Sequence, residues 1–236
     1  PSTGTSTVRD IHTAFPRSGI TSWGTYTLEM ASIELPDPET DGSTSVEQAI
    51  ATRESRRSFA RTPIDINDVA QLLWAAQGRT HVRDGVELRA APSAGATYPL
   101  TVVLEIAPNG SEDLEPGVYR YDQQRHALEC ELETAVHDDL TAASLDQSVI
   151  ADAPMTIVVT ADGDRTKRQY PDHGERYVHM EAGHVAENVH LVCEARGLNT
   201  CPVGAFTDAA VAAALSLPTR LEALYLLPVG HRPTAQ

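Results

Sequence analysis

The sequence predicts an α+β fold. Helical and strand-like segments follow one another without a strict βαβ alternation, and no segment repeats internally. At 236 residues the chain suits one domain, or at most two, with a sizeable core. Hydrophobic residues make up 41% of it and aromatic residues only 5%, so Ala, Val, Leu and Ile must build that core.

The elements are expected in this order. Residues 1–44 are rich in Ser, Thr, Gly and Pro, and Pro36, Pro38 and Gly42 break any regular pattern, so they read as an extended arm with little core of its own. Residues 45–236 form the folded domain. Ser45 stands three residues before Gln48 as a capping hydroxyl, and Val46, Ala49 and Ile50 share a face, giving a short helix that ends in the run Arg53-Glu54-Ser55-Arg56-Arg57. A second helix spans about 65–77, with Val69, Leu72, Leu73 and Ala76 at i, i+3, i+4, i+7 spacing, Asp65 or Asn67 capping its start, and Gly78 closing it.

After a polar stretch, the small and turn-prone run 91–99 leads into a strand over 100–106, and 117–121 with 126–132 reads as a hairpin. A weak helix covers 134–145, and 155–160 is a β-rich apolar run. The longest helix runs over 175–196, with Ala182, Val185, Val189 and Val192 as its buried stripe, and stops at Gly197. A short extended segment at 198–203, an Ala-rich helix at 208–215 and an apolar strand at 221–229 complete the chain.

Charge narrows the function classes. There are 18 Lys+Arg against 33 Asp+Glu, a formal net charge of −15, and no basic tract of the kind that gains affinity by neutralising phosphates along a nucleic acid. No apolar run approaches the roughly 18–20 residues a membrane helix needs, so neither nucleic acid nor membrane is an expected partner. Lys167 is the sole lysine, and the acidic residues are spread along the chain. That composition suits a halophilic organism, where hydrated carboxylates keep a crowded surface soluble; an acidic protein of a high-GC genome is the plainer reading. The three cysteines, Cys130, Cys193 and Cys201, have no C-x-x-C spacing, which argues against a disulfide framework or zinc ribbon and for a reducing, cytoplasmic setting.

Against this background the run 53–57 is the densest cationic site. It is either a surface ion-pair network or a site for a dianion such as phosphate. No P-loop and no Gly-x-Gly-x-x-Gly fingerprint is present to hold a phosphate in another way.

Arg53-x-Ser55-x-Arg57, residues 72–78 (LLWAAQG), 92–99 (PSAGATYP), 117–121 (GVYRY), 181–184 (EAGH), 202–206 (PVGAF) and 228–230 (PVG) occur in an order that resembles the nitroreductase superfamily of FMN-dependent oxidoreductases. Within it the set is most similar to the SagB-type dehydrogenase branch, which includes azoline oxidases. The resemblance covers about residues 45–232. It implies a central, mostly antiparallel sheet flanked by helices, in an intertwined homodimer with FMN at the interface, the long helix at the dimer core and the arm embracing the partner. It also implies hydride transfer through flavin N5, from NAD(P)H or an organic donor, to or from a small-molecule or peptide substrate, with alternating half-reactions.

Position by position, the resemblance implies that Arg53, Ser55 and Arg57 bind the FMN phosphate and ribityl chain with backbone help from Glu54, and that His231 and Arg232 add phosphate contacts. Pro92, Ser93 and Ala94 match the segment that a neighbouring subunit lays against the flavin. Pro202, Val203, Gly204 and Ala205 match the segment along the ring edge, with the Gly204 N–H facing N5, and Gln147 is a candidate for the pyrimidine part. Azoline oxidases carry a Lys-Tyr pair before the long helix; here the dipeptide is Gln169-Tyr170. An amide cannot act as the base that a lysine can, so Tyr170, with Lys167 two residues before Gln169, is the catalytic candidate left. That loss gives weight to an alternative, a flavin-binding, non-catalytic partner subunit of a peptide-modifying complex.

Other constellations read as structural. His179, His184 and His190 with Glu181 and Glu187 have no tight His-x-x-x-His pair, and fit packing histidines with surface carboxylates better than a metal site. Cys201, with no cation beside it, fits a buried small hydrophobe. Leu73 and Trp74 fit the core, and Ser93 lacks the Gly-x-Ser-x-Gly of a hydrolase nucleophile.

Overall fold

A computed structural model describes residues 32–234, so residues 1–31 of the expected arm lie outside the described residues. The part of the arm that is described does pack. Ser32–Glu34 forms a strand, β1, Leu35 is buried in the core, and the Leu35 N–H donates to the His126 carbonyl at 3.0 Å. The Gln71 side-chain amide then grips the backbone of Glu39 from both sides, at 2.8 and 3.1 Å. A polar, proline-broken sequence gave no periodicity from which to read this; the order is imposed by the edge that the arm covers.

The short helix α1 is Val46–Thr52, with Ser45 Oγ accepting the Gln48 N–H at 3.1 Å; the arginine run follows the helix rather than ending it. Helix α2, Ile66–Gln77, is capped by Asp65. Gly78 closes it at φ −62, outside the left-handed region, so it is space and not backbone conformation that asks for glycine: a Cβ there would stand 2.3 Å from the Trp74 ring. The polar stretch that follows is an exposed hairpin, β2 (Arg79–Arg83) and β3 (Val86–Arg89), turned by Asp84 and Gly85 at φ 53 and 78. Asp-Gly is a hairpin signal in its own right, and Val86 and Leu88 alternate with Glu87 and Arg89 in β3, but Val82 is the one apolar residue of β2.

The remaining strands are β4 (Leu100–Ile106), β5 (Gly117–Asp122), β6 (Ala127–Leu132), β7 (Met155–Ala161), β8 (Leu198–Thr200) and β9 (Glu222–His231). They join β1 in a seven-stranded sheet of order β1-β6-β5-β4-β7-β9-β8, with every pair antiparallel, as the expected α+β class requires. Alternation along the strands divides the core. Val102, Leu104 and Ile106 face α2 and the 22-residue helix α6, Gly174–Ala195. Val103, Val118 and Val158 face the other layer, made of α3 (His137–Ala143), α4 (Ser148–Ala151) and α7 (Asp208–Ala214). Between β7 and α6 lies a short helix, α5 (Gly163–Lys167). The turn from α5 into α6 is tight: a Cβ on Gly174 would lie 2.7 Å from the Lys167 backbone. No helix among the described residues is long and apolar enough to cross a membrane.

Candidate functional site

The predicted residues gather in three neighbourhoods. The first lies along the β8–β9 edge. After α1 the chain runs extended, and the Arg56 N–H donates to the Thr200 carbonyl at 3.0 Å, Asn199 Nδ2 to Ser58 at 2.8 Å and the Ala60 N–H to His231 at 2.9 Å. Gly230 permits the approach, since a Cβ there would stand 2.8 Å from the Phe59 ring.

The arginines of this edge divide into two kinds. Arg56 binds Glu54 at 2.9 Å and Glu194 of α6 at 2.5 Å, and Arg232 binds the same Glu194 at 2.8 Å while donating to the Leu198 carbonyl. Burial opposes ionisation of Glu194, but hydrogen bonds from Arg56 and Arg232 outweigh it and hold the carboxyl below its usual range. Arg53 and exposed Arg57 have no such partner: among the described residues no carboxylate lies within ion-pair distance of either. His190, buried on α6, is pushed toward its neutral form by burial and then by the positive charge of Arg53. The run thus divides. Arg56, with Arg232, forms an ion-pair network, and Arg53 and Arg57 stand with the exposed Ser55 as a free donor set suited to a dianion. The Pro63 carbonyl can only accept, so His231 Nε2 donates to it at 3.2 Å and is turned into the fold.

The second neighbourhood joins Gln147 to the segment 202–205. Gln147 Nε2 donates to the carbonyls of Ala205 and Ser144 at 2.7 and 2.8 Å, Val203 bridges to Leu226 of β9, and Gly204 and Ala205 are exposed. Cys201 is buried beside them.

The third surrounds the loop after β3. Ser93 Oγ accepts the Tyr98 N–H at 2.9 Å, Tyr98 Oη accepts the Arg89 N–H at 3.2 Å, and the Arg89 guanidinium lies 4.3 Å over the Tyr98 ring. Ala96 and Tyr98 hold positive φ, 52 and 44, a strain that persists only where surrounding contacts fix it. Gly95 is pressed against Gln169 and Tyr170, so that a Cβ would meet the Tyr170 hydroxyl at 2.7 Å, and Thr97 bonds Thr166 at 2.7 Å. Tyr170 packs edge-on to Tyr177, ring centroids 5.2 Å apart. Pro92, Ser93 and Ala94 therefore stand with Tyr170, while Lys167, in a helical turn and not on extended backbone, pairs with Glu175 at 3.6 Å.

Beneath this loop lies a residue that the sequence pattern classed with surface carboxylates. Glu181 is 2% exposed and accepts from Gln77 at 3.2 Å, and Gln77 in turn accepts from Arg89 at 3.2 Å. Burial pushes the Glu181 carboxyl up, and hydrogen bonds from Ser93 and Gln77 oppose the shift. Only a helical wheel centred on Ala182 and Val185 would have put Glu181 on the inner face. Of the other α6 residues considered, His190 is buried, and His179, His184 and Glu187 are exposed. Leu73 is buried in the core as expected, whereas Trp74 is half-buried at its margin and donates to the Arg79 carbonyl at 3.3 Å, tying the hairpin to α2.

One chain does not bring the three together. Ser93 and Tyr170 lie on the α6 side of the sheet, near Glu181 and the start of α6; Gln147 and 202–205 lie on the α3–α7 side. Glu194, which marks the arginine edge, is about 20 Å along α6 from Glu181 and about 30 Å from Gly174, at 1.5 Å per residue.

The sequence profile of the Nitroreductase family matches residues 50–231. The Methanocaldococcus jannaschii protein MJ1384, named as a nitroreductase, is 38% identical over 200 residues, covering 85% of this chain and 96% of its own. A Ralstonia eutropha crystal structure, also named as a nitroreductase, superposes with a TM-score of 0.72 at 25% identity, covering 93% of this chain and 97% of that one. The Escherichia coli microcin synthetase McbBCD complex with truncated pro-MccB17 contains a chain of the same fold, with a TM-score of 0.66 at 23% identity over 85% of this chain and 78% of that one.

Proposed function

This chain belongs to the nitroreductase family, and from that premise we propose that it is an FMN-dependent oxidoreductase of the SagB type acting on a small organic or peptide substrate. The observation that carries the reading is the pair Arg53 and Arg57. In a chain of net charge −15, two arginines on one extended segment have no carboxylate within ion-pair distance among the described residues, while Arg56 and Arg232 do. With Ser55 they offer forked N–H donors and a hydroxyl, the donor chemistry a phosphate dianion takes. FMN, when bound, supplies the two-electron chemistry, with hydride entering and leaving at N5. The chain's own part is to hold the phosphate at Arg53, Ser55 and Arg57, and to line the ring edge with Gln147 and Pro202–Ala205, the Gly204 N–H serving as donor.

Ser93, Pro92, Ala94 and Tyr170 stand too far along α6, and on the other side of the sheet, to meet the same flavin from the same chain. A homodimer in which each chain lends this loop to its partner's site supports their roles. Tyr170 is then the residue placed to donate or accept a proton at the substrate. Lys167, paired with Glu175, and Gln169, a neutral amide, leave no lysine base beside it, which favours general flavin redox over ring oxidation. The SagB-type assignment is supported by the ordered motif set and by the fold shared with McbBCD.

The test is anaerobic mixing of FMN-loaded protein with NADH and NADPH at high salt. Bleaching of the flavin absorbance by one of them, and its return when an acceptor is added, is the expected result. A bound flavin that neither nucleotide nor an azoline peptide changes would contradict the oxidoreductase reading.

A further inference from the structure

Glu105 is the last residue but one of β4, wholly buried on the α3–α7 side, where an apolar strand would be expected to carry Val or Ile. Its Oε1 lies 3.1 Å from His137 Nδ1, and the other ring nitrogen, Nε2, lies 3.0 Å from the Ala151 carbonyl. The carbonyl can only accept, so Nε2 carries a proton. The Nδ1–Oε1 contact needs a second one, on either atom, because a bare imidazole nitrogen and a carboxylate would repel. His137 is the first residue of α3, and Ala151 is the last of α4. The ring therefore closes residues 137–151 into a loop and fastens it to the central strand. Gln147 lies inside that loop, and both protons of its side-chain amide are used, toward Ser144 and Ala205.

We propose that His137 is a positioning residue, stapling both ends of the α3–α4 unit to Glu105 and thereby holding the Gln147 amide against the Ala205 carbonyl. Its relevance to catalysis rests on the reading of Gln147 and Pro202–Ala205 as the flavin-ring edge. Groups facing the ring are Glu105 from β4, Asp138 on α3, Asp152 after α4, and Arg61 across a cavity of about 390 Å³ that gives water access to the imidazole; Thr156 on β7 is paired with Glu105 across the sheet. Burial pushes Glu105 up, and its hydrogen bond to His137 raises the imidazole to about 9. The staple therefore keeps its proton through neutral pH. A raised histidine stabilises the fold fully below its ordinary value of about 6.5; that contribution declines as the pH rises and is gone above about 9.

The experiment follows the His137 ring and the Gln147 side-chain amide by NMR in the flavin-free chain from pH 6 to 10. The two are expected to change together near pH 9, with Gln147 losing about five- to tenfold of its exchange protection beyond what base catalysis alone gives, the scale of one net hydrogen bond. In Glu105→Gln both changes move toward the ordinary histidine value. Should that variant fail to fold, His137→Gln is expected to leave the Gln147 amide fast-exchanging at every pH. A Gln147 amide that stays protected while His137 titrates, or in His137→Gln, overturns the proposal. FMN affinity measured over the same range tests the underlying reading separately. If the amide follows His137 but FMN affinity stays flat through pH 9, the staple stands and the flavin-edge reading falls.

Discussion

Arg56 and Arg57 are neighbours with opposite commitments. Arg56 is half-buried, shares Glu194 with Arg232 and fixes the extended segment to α6, so its loss is a loss of structure. We expect Arg56→Ala to lower stability by about 1.5–3 kcal/mol, the worth of a hydrogen bond to a charged group, read as a fall in thermal midpoint. Among the described residues Arg57 makes no such contact, so Arg57→Ala should leave the melting temperature of the flavin-free chain unchanged. An equal loss of stability in the two variants would remove the distinction on which the phosphate site rests. Both residues were visible in the sequence as members of one cationic run. Which of them was free depended on Glu194, some 140 positions away, and no spacing rule reaches that far.

At the level of elements, what could be read from sequence was what repeats locally. The stripe Ala182, Val185 and Val189 announced α6, and Asp65 and Ser45 announced helix starts that the structure keeps. Ser45→Ala is expected to cost about 1 kcal/mol by leaving the Gln48 N–H without its acceptor. Short or polar elements went unseen: α5 is a single turn without an apolar face, β2 is exposed along its length, and β3 is four residues long and only half-buried. The described part of the arm was unreadable for a different reason, because β1 is ordered by its pairing with β6 and not by its own composition. The tight α5–α6 corner supplies another test. Gly174→Ala places a methyl against the Lys167 backbone and should cost about 1–3 kcal/mol, measured by denaturant titration, as α5 is pushed from α6 and Tyr170 with it. A neutral outcome would mean that the corner yields freely and does not fix Tyr170.

The molecule as a whole carries its negative charge on a surface that is locally reversed at the arginine edge, and its candidate site residues lie on two sides of one sheet. A two-fold assembly reconciles them, and exposed apolar side chains are available for it: Val46 and Ile50 on α1, and Met180 on α6, are 65%, 59% and 52% exposed. Sedimentation should give a dimer, and Met180→Glu should shift it toward monomer with loss of flavin. A wild-type monomer that binds FMN tightly would refute the shared site. The most direct measurement of the central claim is an FMN titration of the wild-type chain and Arg57→Ala, followed by flavin absorbance and fluorescence. Saturable binding by wild type and a loss of about 10- to 100-fold in affinity for Arg57→Ala are expected, the scale of charged hydrogen bonds to a phosphate. Equal affinity in the two proteins would contradict that claim.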